Sequence, residues 1–203
     1  MIRQRHLLIN RIILFFHKNR INKKQGGVGF FIKSTIQSDL VSEFDHLYLE
    51  MAFEFLAVKI DVNGMKILCC VFYRPPSSPA SKFMELLDDF VLIASKKYPK
   101  IVMMGDFNID LYNSNNSSGN FHGISSDGAD LLSVCLSGGL LPAYGVPTRI
   151  TKDSASLIDN LFTNLELKSS DVVIEDFSDH LMLVTDIHLI TEFNRPTKKK
   201  EDD

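Results

Sequence analysis

FEFLAVKIDVNGMKILCCVFYRPPSSPASKFMELLDDFVLIASKKYPKIVMMGDFN, residues 53–108, holds the pattern that decides the fold. Phe53–Val62 and Met65–Tyr73 are short runs of β-branched and aromatic residues parted by Asn63-Gly64, the pair that favours a two-residue hairpin turn. Phe53, Phe55, Ala57 and Lys59 alternate with Glu54, Leu56, Val58 and Ile60, so neither face is cleanly polar and the sheet is packed on both sides. Ser78-Pro79 then offers an N-cap and a first-turn proline. Phe83, Leu86, Leu87, Phe90 and Ala94 recur at helical spacing opposite Glu85, Asp88 and Asp89, and Tyr98-Pro99 ends the helix. Lys100–Met104 reads as a buried strand that delivers Gly105-Asp106-Phe107-Asn108.

Outward from this segment, Gly27–Ser34 is a further strand and Leu111–Gly123 an Asn/Ser/Gly-rich loop. A second helix spans Asp127–Ser137 and closes on Gly138-Gly139. Three more strands are expected at Ser156–Thr163, Asp171–Asp176 and Leu181–Ile190, with a polar, disordered tail after them. Strands in succession and widely separated helices favour α+β packing over a parallel βαβ repeat.

The chain has 203 residues, 45% of them hydrophobic, which suits one domain with a real core and excludes a mainly disordered chain. No apolar run approaches the ~20 residues of a membrane span; Leu7–Phe16 comes nearest and carries Arg11. No small-residue cleavage site follows it, so a secretory signal is not expected. Eight Lys and Arg precede the first acid, Asp39, leaving 14 basic against 25 acidic residues beyond it, a net of −11. A basic arm on an acidic body is one way to meet a polyanion. Met1–Gln25 otherwise reads as a solvated, poorly packed terminus. Cys69, Cys70 and Cys135 have no ligand or disulfide spacing, and a reducing, intracellular compartment, nucleus or cytoplasm, is the simplest reading.

Three polar clusters stand where apolar strands end: Gly105-Asp106-Phe107-Asn108, Ser156-Leu157-Ile158-Asp159-Asn160 and Ser178-Asp179-His180. A charge set in an apolar strand is costly unless paired, hydrogen-bonded or metal-bound. Asp106 and Asn108 are two apart, so an extended backbone puts both on one face. Carboxylates, an amide and an imidazole at one site suit phosphate-ester hydrolysis. The acids hold a hard divalent cation, a carboxylate–imidazole pair fixes a tautomer, and an amide donates to a developing phosphorane oxygen. Singly, each cluster also reads as an ordinary turn.

Together, GGVGFFIKS, FEFLAVKI, VFYRPPS, IVMMGDFNIDL, PTRI, SLIDNLFTN and FSDHLML, in this order, resemble the endonuclease/exonuclease/phosphatase superfamily, and most closely the endonuclease domain of non-LTR retrotransposons. The resemblance implies a four-layered α/β sandwich, two mainly antiparallel sheets face to face and flanked by helices. It implies a domain at 26–192, after a divergent basic segment 1–25 and before a tail 193–203. Asp106 matches the acid that orients or deprotonates the attacking water, and Asn108 the amide that stabilises the transition state. Asp179 matches a metal-side carboxylate, joined in the metal set by Asp106 and Asn108, and His180 the histidine at the scissile phosphate, supported by Asp159. Tyr73 matches a phosphate-contacting tyrosine, and Arg74, Thr148 and Ser156 fall near the substrate surface. Mg²⁺ or Mn²⁺ is the implied cofactor. DNA is the implied substrate, for a monomer that is a piece of a longer polyprotein with reverse transcriptase.

The departures bear on activity. Family members carry two earlier strands, one with an Asn and one ending in the principal metal-binding Glu, and neither motif is found before Gly26. Leu7–Ile9 and Ile12–Phe16 are apolar enough to lend one makeshift strand. Three readings stay open: a metal-dependent DNA endonuclease, a truncated and inactive relic that keeps the fold and weak nucleic-acid binding, and a phosphatase. Negligible Mg²⁺-dependent cleavage is the expectation. Arg74, Arg149 and Lys152 are the nearest basic residues, each read first as a solvated surface charge.

Overall fold

A computed structural model describes residues 3–7, 13–21, 26–112, 124–175 and 178–189. In chain order the elements are β1 (Arg3–Leu7), β2 (Ile13–Lys18), β3 (Val28–Lys33), β4 (Gln37–Leu40), β5 (Glu54–Val62), β6 (Met65–Tyr73), α1 (Ala80–Lys97) and β7 (Ile101–Asp106). There follow α2 (Ser126–Ser137), β8 (Leu141–Pro142), β9 (Arg149–Ile150), β10 (Ala155–Ser156), β11 (Asp159–Thr163), β12 (Leu167–Val173) and β13 (Met182–Ile187).

The hairpin lies at the heart of a six-stranded sheet ordered β4-β5-β6-β7-β11-β8. Asn63 and Gly64 both take positive φ, 54° and 83°, the requirement of the turn that matches strand twist. β6 and β7 are the parallel pair, as they must be with α1 crossing between them. α1 and α2 pack on one face of this sheet, where Phe83 and Phe90 of α1 meet Phe53, Phe55, Phe72 and Phe107. Burial of each ring contributes roughly 1.5–3 kcal/mol.

The opposite face is the interior of a sandwich. Leu56 and Val58 meet Leu14, Phe16 and Ile32 from the sheet β1-β2-β3, and Ile67, Cys69, Val102 and Leu161 meet Leu183 and Ile187 of β13. Cys69 and Cys70 thus serve opposite faces, and burial pushes the Cys69 thiol up to about 12. A cavity of about 560 Å³ opens between the large sheet and β13, and Asp106 and Asp159 stand on its wall. No described helix is long and apolar enough to cross a membrane.

Several expectations need correction. Residues 13–18 are not a solvated terminus: β2 pairs along its whole length with β3 and buries Leu14 and Phe16. Two strands, not one, come from residues 1–25, because β1 pairs with β2 in turn. Pro79 itself takes the N-cap of α1, and Ser78 does not cap; its carbonyl accepts from Arg74 instead. The expected strand at 156–163 is broken after Ser156, since Asp110 and Thr148 side chains take the backbone N–H groups of Leu157, Ile158 and Asp159. β12 lies four residues earlier than expected at its start, with the polar Lys168-Ser169-Ser170 in an edge strand. The Leu111–Gly123 loop past residue 112 and the expected tail lie outside the described residues.

Gly105 is where β7 passes closest to β6. A Cβ there would run into the Phe72 carbonyl oxygen. Gly105→Ala is expected to cost roughly 2–4 kcal/mol in urea unfolding, and Gly64→Ala, with open space around it and only φ against it, about 1 kcal/mol.

Candidate active site

The ladder register builds the site. Glu54 stands opposite Tyr73, Tyr73 opposite Asp106, and Asp106 opposite Asp159. Residues directly opposite share a sheet face, and parity with Leu56, Val71, Met104 and Leu161 puts all four on the inner one. One end of the sandwich therefore carries a row of acid, phenol, acid and acid.

His180 joins the row from another part of the chain. Backbone bonds from Ile150 N–H to the Asp179 carbonyl and from Leu181 N–H to the Thr148 carbonyl lay residues 148–150 beside residues 179–181. Ser178 Oγ accepts the His180 N–H and shapes the turn. His180 Nδ1 then lies 2.9 Å from Asp159 Oδ2 and 3.2 Å from Oδ1. Thr148 Oγ1 donates to Asp159 Oδ2 at 2.9 Å and accepts from the Ile158 and Asp159 N–H groups. Asp159 is thus fixed from below, and an Nδ1–H given to it leaves Nε2 to face a substrate.

Asp106 is the perturbed group. Burial, and then the charge of Asp159, push its carboxyl up to about 6, against the Asn108 N–H and His180, which pull it down. Asp106, Asp159 and His180 bring one ligating atom each within 4.8 Å of one another, and no other such group of His, Cys, Asp or Glu stands among the described residues.

Asn108, at φ +49°, closes the loop after β7. Its N–H is accepted by Asp106 Oδ1, and its Nδ2 donates to the Arg74 carbonyl at 2.7 Å. Arg74 answers with its own guanidinium: Nε donates to the Phe107 carbonyl at 2.9 Å and Nη2 to the Asn108 carbonyl at 2.7 Å. Arg74 is buried, so it is neither a solvated charge nor a surface for DNA; it braces the loop that holds Asn108.

The remaining expected residues separate. Thr148 is fully buried and cannot touch a macromolecular substrate; it supports Asp159 instead. Ser156 is half-buried, and its carbonyl accepts the Thr148 N–H. Asp179 is exposed and turned to Arg149, whose Nε donates to it at 2.7 Å, and this bond holds its carboxyl below the usual range. Asp179 thus stands outside the group that Asp106, Asp159 and His180 form. Sequence reasoning missed Glu54, Arg20 and Asp110. Glu54 and Arg20 form a buried ion pair with Nε–Oε1 at 2.7 Å, and Asp110 Oδ1 ties the loop to the Leu157 N–H at 2.8 Å. An acid heading an otherwise apolar strand was the available signal for Glu54.

A protein-family model described as endonuclease-reverse transcriptase matches residues 67–184. No curated protein matches the sequence. Among solved structures the chain is similar to the endonuclease domain of TRAS1, a telomere-specific non-LTR retrotransposon, with TM-score 0.66 and 19% identity over 89% of this chain and 82% of that one. It is similar to a 3'-5' exonuclease from Neisseria meningitidis, with TM-score 0.60 and 16% identity over 88% and 80% of the two chains. D. rerio TDP2, solved with a single-strand DNA product, gives TM-score 0.61 and 14% identity over 88% and 78%.

Two predictions follow from the geometry. A carboxyl whose native pKa stands above its unfolded value binds its proton more tightly when folded, so it favours the native state at low pH and loses that contribution as pH rises through about 6. Asp106→Asn keeps the acceptor for Asn108 and removes the charge. The variant should therefore be more stable than wild type by about 1 kcal/mol at pH 7.5, after discounting for solvent screening, with the gain shrinking as pH falls towards 4. An equal gain at both pH values in urea unfolding would place the effect in packing. Thr148→Val strands two N–H groups and a carboxylate oxygen, and a loss of about 2–3 kcal/mol is expected, largely recovered by Thr148→Ser.

Proposed function

This chain belongs to the endonuclease-reverse transcriptase family, and on that footing we propose that it hydrolyses phosphodiester bonds in DNA, with Asp106, Asp159 and His180 as the reacting group. The observation that carries the reading is Asp159 held between Thr148 and His180 while Asp106, directly opposite in the ladder, has its carboxyl pushed up to about 6.

The roles follow from that chemistry. A carboxylate with a pKa near 6 is largely ionised at neutral pH yet basic enough to take a proton from an attacking water. Asp159 orients the imidazole of His180 so that Nε2 faces the phosphate, and in the imidazolium form, with a proton on each nitrogen, Nε2 stabilises charge or gives its proton to the leaving oxygen. Asn108 gives one amide N–H to the Arg74 carbonyl, and its side chain also interacts with Asp106, so it steadies the acid beside the phosphate. Tyr73, beside Asp106, adds a phenol donor.

Two carboxylates and an imidazole within 4.8 Å, one carboxyl raised by burial and then by the charge of its neighbour, suit a hard divalent ion. Asp106 and Asp159 would hold Mg²⁺ or Mn²⁺, which when bound neutralises charge on the phosphate oxygens. The same geometry favours slow turnover. Asp179 is engaged by Arg149, and Glu54 is fully buried and tied to Arg20 through Oε1, with Oε2 alone left unpaired, so few carboxylate oxygens remain to anchor the ion. That observation supports the second reading, a domain that binds DNA and scarcely cuts it.

Plasmid nicking by the full chain with Mg²⁺, Mn²⁺ or chelator tests both. Slow nicking that needs the metal and falls at least about a hundredfold in Asp106→Ala and His180→Ala is expected. Salt-dependent DNA binding without nicking would leave the second reading standing and overturn the first.

A further inference from the structure

Arg20 comes from residues 1–25, yet its side chain is only 8% exposed and that of its partner Glu54 not at all. Three neighbours fix the guanidinium. Nε donates to Glu54 Oε1 at 2.7 Å, and Glu54 is itself steadied by the Met51 N–H at 3.0 Å on the same oxygen. The guanidinium carbon lies over the Tyr73 ring, 5.6 Å from its centre. Gly26, at φ +102°, passes so close that a Cβ would collide with the guanidinium. Burial draws the Arg20 pKa down, but Glu54 and Tyr73 more than offset it.

Resting on the hydrolytic reading above, we propose that Arg20, seated by Glu54, is a positioning residue for Tyr73 and sets its hydroxyl to donate to a phosphate oxygen of the nucleic acid beside Asp106. A guanidinium over the ring fixes the ring without taking up the phenol O–H, which is left to point elsewhere. Glu54 matches the buried charge of Arg20, which would otherwise be costly and free to seek another anion. The planar fork suits the arrangement, with one edge on a carboxylate and one face towards a ring, and a lysine cannot reproduce both.

The test uses the full chain with ¹³C-labelled tyrosine, the Tyr73 signal assigned through Tyr73→Phe, and a short DNA duplex as probe without divalent ions. In wild type the duplex should shift the Tyr73 signal. Arg20→Lys should move that signal in the free protein, abolish its response and weaken duplex binding about tenfold, while in a Tyr73→Phe background the same change should matter less than about twofold. Glu54→Gln, which keeps the volume, should reproduce the displaced signal, and the other tyrosine signals report that each variant is folded. A Tyr73 signal indifferent to the duplex or to Arg20→Lys overturns the proposal, as does an equal loss of binding with and without the Tyr73 hydroxyl. Absence of nicking by wild type would count against hydrolysis and leave the Tyr73 result to stand or fall by itself.

Discussion

The close passage of Gly105 under the Phe72 carbonyl lets β6 and β7 run parallel in a register that sets Tyr73 against Asp106. Everything polar at this end of the sandwich depends on that alignment. Glu54 and Asp159 enter by antiparallel pairing on either side, so four strands place four polar residues side by side on the inner face. Such a row is unfavourable unless each member finds a partner, because all lose water on folding. Arg20 answers Glu54, the Asn108 N–H answers Asp106, and Thr148 with His180 answers Asp159. Asp106 keeps a raised pKa all the same, through burial first and the charge of Asp159 next.

The loop after β7 is braced from two sides. Arg74 gathers the carbonyls of Phe107 and Asn108, while Phe107 and Leu111 donate backbone N–H groups to residues 158 and 157. A left-handed Asn108 is thereby held in place despite the backbone strain of a non-glycine residue at positive φ. Rigidity of this kind fits a site whose parts must already be aligned when a substrate arrives.

Much of this is legible in the sequence, and the reasons are local. The hairpin at Asn63-Gly64, the apolar spacing of α1 and the strand running into Asp106 each depend on near neighbours, and each lies within a residue or two of where the pattern puts it. The three polar clusters point to strand ends because charge in an apolar run is conspicuous. Long-range partnership is not written in this way. Nothing near Arg74 announces that four backbone carbonyls will enclose it, and nothing near Arg20 announces Glu54, 34 residues away. The basic composition of residues 1–25 hid the pairing of β2, whose alternate Leu14, Phe16 and Lys18 are all buried, the lysine over the Tyr48 ring and against Asp45.

The hairpin also has a consequence for how the chain tolerates changes of length. Its turn at Asn63-Gly64 lies at the end of β5 and β6 away from Glu54 and Tyr73. An extra residue in that turn lengthens the loop and leaves the far end of the ladder undisturbed. One inserted within β7, by contrast, turns every later side chain to the other face, offering Gly105 to the row and driving Asp106 towards the phenylalanine core. Length variation in descendants of this chain should therefore gather at one end of the sandwich and be nearly forbidden at the other.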